Sequence, residues 1–237
     1  MIDNQLQSLV SRLKSAFEAN LQSVVLYGSA AMDDWLEGSS DLNILCVVGR
    51  ITPHELGSFE PVSRWWTERK NPPPLLLTSE EVRTSTDCFP MEFHDMRERR
   101  QVLFGSDPID GMVIDPVFYR AEVEHELRAK QIRLRQKAAE ALPDSARLTR
   151  LLTDSLSTFC VLGRHALILS GHPSYWKKAD VIAGLERVLA RSFGASSAIL
   201  AIRATSKPPA AASALSLLGD YLIEMEALVR FVDALER

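Results

Sequence analysis

Cysteine is scarce in this chain. Cys46, Cys88 and Cys160 are the only three in 237 residues, too scattered for a metal-binding pair or a disulfide framework, and this usage fits a reducing cytoplasm. No run approaches the roughly 18 uninterrupted apolar residues of a membrane span. The opening MIDNQLQSL has neither the basic run nor the apolar core of a signal sequence. Charge of one sign is also lacking: 27 basic against 31 acidic side chains leave a net −4, which argues against a protein that coats extended duplex nucleic acid. Internal repeats and heptads are missing. What is present is 46% apolar and 24% charged residues, a globular balance that excludes a mostly disordered chain. The length suits one large domain or two small ones.

The first half reads as α/β. Leu6, Leu9, Val10, Leu13, Phe17 and Leu21 recur at helical spacing. The apolar run Val24 to Tyr27 stops at Gly28-Ser29, and Ala30-Ala31-Met32 begins a short helical piece. Asp41 to Val48 reads as a strand, with Asp41, Asn43, Leu45 and Val47 on one face. Pro53 opens a helix running to about Glu68, which Asn71-Pro72-Pro73-Pro74 ends. Leu75 to Leu77 is a brief strand, and Thr78 or Ser79 caps a short helix. Phe89 to Asp95 reads as a further strand, with Glu92 and His94 on one face. After Arg120 the two-residue period disappears. Helical stripes follow at Val123 to Ala138, Leu148 to Leu169, Val181 to Leu189 and Leu218 to Leu235. The boundary falls where Gly and Pro accumulate, between Asp107 and Pro116. The expectation is a mixed sheet with flanking helices followed by an antiparallel all-α bundle.

The chemistry concentrates in VVLYGSAAMDDWLEGSSDLNILCVV, residues 24–48. A strand runs into Gly-Ser at the start of a helical turn, where Gly28 lets the backbone approach a ligand and Ser29 offers a hydroxyl to a phosphate. A second strand then begins with Asp41. This pairing of a phosphate cradle with cation-gripping side chains is what metal-dependent phosphoryl transfer requires. The segment resembles the nucleotidyltransferase superfamily that includes kanamycin nucleotidyltransferase, the minimal nucleotidyltransferases and DNA polymerase beta. Their pattern is Gly-Ser, a spacer, Asp-x-Asp or Asp-x-Glu on a strand, and a third carboxylate on a later strand. The match is to Gly28-Ser29, to Asp41, and to Glu92 in FPMEFHDM.

The resemblance implies a nucleotidyltransferase-like domain over 1–112 and a helical bundle domain over 117–237. It implies Asp41 and Glu92 as catalytic residues and metal ligands, for Mg²⁺ or Mn²⁺. Gly28, Ser29 and Asn43 would contact the nucleoside triphosphate. The reaction would be nucleotidyl transfer to a hydroxyl-bearing small molecule or a protein. Asn43 departs from the pattern, since it sets a neutral carbonyl oxygen where the family has a carboxylate. The alternative is therefore a catalytically weak or inactive relative that binds a nucleotide, a small molecule or a protein partner. The basic run Arg128, Lys130, Arg133, Arg135 and Lys137 reads as a solvated face or as a positive wall for an anionic substrate. A bundle of this kind can also pair across a two-fold axis as a homodimer.

Overall fold

A computed structural model of the protein describes residues 2–31, 42–114, 116–205 and 211–235. The chain divides into two compact units, Met1–Asp115 and Pro116–Arg237.

In the first unit a four-stranded sheet is built from β1 (Leu21–Tyr27), β2 (Asn43–Val48), β3 (Leu75–Thr78) and β4 (Arg100–Gly105), in the order β3-β2-β1-β4. β1 runs antiparallel to both β2 and β4, and β2 runs parallel to β3. Side chains alternate across the central strands, so each strand serves two cores. Val24, Leu26, Ile44, Cys46 and Val48 face α1 (Ile2–Phe17) and α2 (Pro53–Thr67), where Leu6, Leu9, Leu13, Phe17, Val62 and Trp66 are buried. Val25, Leu45 and Val47 face α3 (Ser79–Thr84) and α4 (Pro90–Glu98), through Val82, Phe93 and Met96. Each such fully buried side chain contributes about 1.5–3 kcal/mol. Trp66 packs in the core, while Trp65 lies between the guanidinium groups of Arg12 and Arg69, 4.4 and 4.2 Å from its ring centre.

Local chemistry sets the helix starts. Thr52 and Glu55 form a capping box before α2, and Thr78 and Glu81 form another before α3. The sheet is pinned at its end by Gly105, whose φ is +77° and whose Cβ, if present, would stand 1.9 Å from the Gln22 carbonyl oxygen. Only glycine fits there.

One expected element is of the wrong type. The segment expected as a strand over Phe89 to Asp95 is the helix α4, and the strand follows it at Arg100. Pro90 in the first turn, Glu92 beside the helix N-terminus and Arg97 in the last turn are the helical signals that outweigh the alternation of apolar residues.

The second unit is all helix in its described residues: α5 (Pro116–Ala141), α6 (Ser145–Leu169), α7 (Lys178–Leu189), α8 (Gly194–Thr205) and α9 (Ala211–Asp233). α6 packs against the other four. It meets α7 closely: a Cβ on Gly163 would lie 2.8 Å from Leu185, and one on Gly184 would lie 2.9 Å from Leu167. Asp144 caps α6 through the amides of Ala146 and Arg147. Sequence periodicity missed α8. Its start is capped from a distance: the buried Glu224 of α9 accepts from the amides of Ala195 and Ser196, at 2.7 and 2.9 Å, and from the Ser196 hydroxyl at 2.6 Å. Burial pushes the Glu224 carboxyl above the ordinary range, and these donors oppose that shift. No described helix is long and apolar enough to cross a membrane.

Candidate functional site

Three strand ends meet at one end of the sheet. Tyr27 closes β1 and pairs with Asn43, the first residue of β2, and with Arg100, the first residue of β4. The chain leaves β1 through Gly28, whose φ of +81° belongs to the left-handed region that favours glycine. Its amide donates to the Arg99 carbonyl at 3.0 Å, which ties the turn to the entry of β4. A Cβ on Gly28 would stand 3.3 Å from Asn43 Nδ2. The Asn43 amide thus lies against the bare backbone of Gly28. Gly28–Ala31 forms a single 3-10 turn. Ser29 follows Gly28 in it, and the Ser29 side chain lies outside the described part of the structure. Asp41 also lies outside the described residues.

By alternation Asn43 shares its face with Leu45 and Val47, the face that α4 covers. Glu92 is exposed in the first turn of α4, and the half-buried Asp95 follows one turn later. Both act on Tyr27. Burial, then the negative charges of Glu92 and Asp95, push the Tyr27 hydroxyl up to about 12. The phenol therefore keeps its proton at neutral pH and can donate a hydrogen bond. The neighbouring cation is already committed: Arg100 Nε donates to both Asp107 oxygens, at 3.0 and 2.8 Å, and its Nη1 donates to the Arg97 carbonyl at 2.6 Å. His94, read in the sequence as sharing a strand face with Glu92, is instead buried in α4 with Nδ1 3.6 Å from Glu98 Oε1.

Of the residues singled out in the sequence, the structure brings Gly28 and Asn43 into contact distance and sets Glu92 within electrostatic reach of Tyr27, the residue before Gly28. It corrects the element that carries Glu92, from strand to helix. Asp95 and Tyr27 were missed, and one error explains the first. On a strand, residues 92 and 95 point to opposite faces; on a helix, three residues apart, they share one. Glu92, Asp95, Asn43 and Tyr27 each carry an oxygen donor. That is the chemistry of a hard divalent cation, and the field that raises Tyr27 is one a cation would relieve.

No protein-family model matches the chain, and no curated protein matches it. Among solved structures the chain is similar to spectinomycin adenyltransferase AAD(9) from Enterococcus faecialis, whose crystal structure contains ATP and spectinomycin. The two are 12% identical with a TM-score of 0.57, over 97% of this chain and 99% of that one. At that identity the likeness concerns architecture. The chain thus shares the fold of that adenyltransferase, here a mixed four-stranded sheet with flanking helices followed by an all-α bundle.

Proposed function

We propose that the protein binds a nucleoside triphosphate at the Gly28 end of β1 and transfers its nucleotidyl group, with a divalent cation, to a hydroxyl-bearing small molecule or protein. The observation that carries this reading is the close approach of Asn43 to Gly28, beside a Tyr27 that feels two carboxylates, on a fold shared with an ATP-binding adenyltransferase. The oxygen donors fit Mg²⁺ or Mn²⁺. Glu92 would hold the cation together with Asp41, the residue two before Asn43 in the chain. Once bound, the cation would neutralise charge on the phosphates.

The chain's own residues do the rest. Gly28 presents backbone without a side chain, so the β/γ-phosphates can come close, and Ser29 supplies a hydroxyl to them. Glu92, exposed and aimed away from the core, is suited to take the proton of the acceptor hydroxyl. The acceptor oxygen bonds to the α-phosphorus as the bond to the bridging oxygen breaks, and pyrophosphate leaves. Tyr27 stays protonated and donates.

A second reading has its own observation. Asn43 offers a neutral oxygen where an anion grips metal better, which favours nucleotide binding without efficient transfer. Asn43→Asp separates the two. With Mg²⁺ or Mn²⁺ and ATP present, the variant should gain more in thermal midpoint than the native chain, because the added anion repels its neighbours without the cation and binds the cation when it is there. Equal gains mean that position 43 does not face a metal. Pyrophosphate release by the native chain, with a panel of hydroxyl-bearing acceptors including spectinomycin, removes the second reading. Glu92→Gln should then slow release about 100-fold.

A further inference from the structure

The second unit contains a cavity that plays no part in the nucleotide reading. It measures about 250 Å³ and opens between α5, α6 and α9, wholly within the bundle. Its α5 wall is a stripe of Leu127, Lys130, Leu134 and Lys137, spaced three, four and three residues apart, flanked by Arg133. Apolar and cationic side chains therefore alternate along one helix face. Phe159 of α6 and Met225 of α9 close the apolar floor. The polar side of α6 contributes Ser155, whose hydroxyl lies 3.2 Å from that of Tyr221, and the carboxylate of Asp154.

Cations of this unit are of two kinds, paired and unpaired, and the rim carries the second kind. Arg120 and Arg128 are paired with Glu124, Arg147 with Glu140 and Arg230 with Glu226. Lys130, Arg133 and Lys137 form no ion pair with a described carboxylate. Three uncompensated cations thus stand at the mouth of an apolar cavity, opposed by Asp154 alone. Surface cations without such a floor would be an ordinary solvated face. A floor of Leu, Phe and Met beneath them selects for a molecule with both an anionic end and an apolar body.

We propose that this cavity is a binding site for a small organic carboxylate with an apolar, ring-sized body. The body lies against Leu134, Phe159 and Met225, and the carboxylate is held by Lys130, Arg133 and Lys137. The volume falls below the usual range for larger ligands, which is about 300–1,000 Å³, and so limits the apolar body to one or two rings.

The test titrates the full-length protein with 2-naphthoate and with 2-naphthamide, its neutral counterpart of like shape, by calorimetry. Binding of the acid at or below about 1 mM, at least about tenfold tighter than the amide, is the expected result. Lys130→Gln with Arg133→Gln, both at the rim, should weaken the acid by about tenfold and erase its advantage over the amide. Thr158→Phe, which fills the cavity from α6, should abolish binding of both. The rim pair keeps the test valid if the filled variant fails to fold. No binding of the acid in the low millimolar range, equal binding of acid and amide, or unchanged affinity in the rim variant would overturn the proposal.

Discussion

At the scale of the residue, Gly28 is the position where the site meets backbone geometry. An alanine there must adopt a φ of +81°, at a cost of about 1–2 kcal/mol, and it must displace the Asn43 amide from 3.3 Å. Gly28→Ala should lower the unfolding free energy by about that amount, read from denaturant curves, and should weaken the ATP binding proposed at this turn. Gly105→Ala is the control of opposite kind. The obstacle there is the Gln22 carbonyl at 1.9 Å, which no rotamer change relieves, so the loss should exceed the roughly 1–3 kcal/mol usual for overpacking and leave little folded protein. Glu55 gives a pH signature. Its carboxyl accepts from the Thr52 hydroxyl and amide and from Arg50, and these hold it near 2 against an ordinary 4.5. A depressed folded value means that the stabilisation is complete above the unfolded value and is lost as pH falls through about 2. Native and Glu55→Gln proteins should therefore differ most near neutral pH and converge in acid unfolding curves taken down to pH 2.

At the scale of the element, the sequence was most legible where a single signal dominates. α1 announces itself through Leu6, Leu9 and Leu13, and α2 through Pro53. β2 and the Val24 to Tyr27 part of β1 read as strands because continuous apolar runs suit strands covered on both faces, while Leu21, read with the helical stripe of α1, opens β1. The approach of Asn43 to Gly28 was legible for the same reason: strand ends carry their own markers. The element that carries Glu92 was not. FPMEFHDM alternates well enough to pass for a strand, and its helical nature rests on Pro90 and on packing of Phe93 and Met96 against the sheet. α8 was illegible for a different reason. It is short, it begins at a glycine, and its cap is a residue far along the chain, which no local pattern records. Glu224→Ala should leave the Ala195 and Ser196 amides buried without an acceptor, a loss of about 1–3 kcal/mol. Hydrogen exchange should quicken first at those two amides and along α8, with α6 protected.

At the scale of the whole molecule, the first unit holds two apolar clusters, one on each face of its sheet, and α5 to α9 make up the second unit. Every strand of the sheet lies before residue 106, and both of its faces are covered by helices of the same unit. A fragment of residues 1–115 should therefore fold alone, giving a dispersed proton–nitrogen NMR spectrum and a cooperative melt; a collapsed spectrum would mean that the sheet depends on the bundle. The bundle has the reverse dependence on chain order. α9 packs on α5, α6 and α8, and it carries the carboxylate that completes α8. During synthesis the sheet unit can close while the bundle is still being made, but α8 leaves the ribosome with its first amides unsatisfied and stays so until residue 224 has emerged. A stalled or shortened chain that ends before Glu224 would pair a finished N-terminal half with an unfinished bundle whose apolar α6 surface lies open to chaperones and proteases.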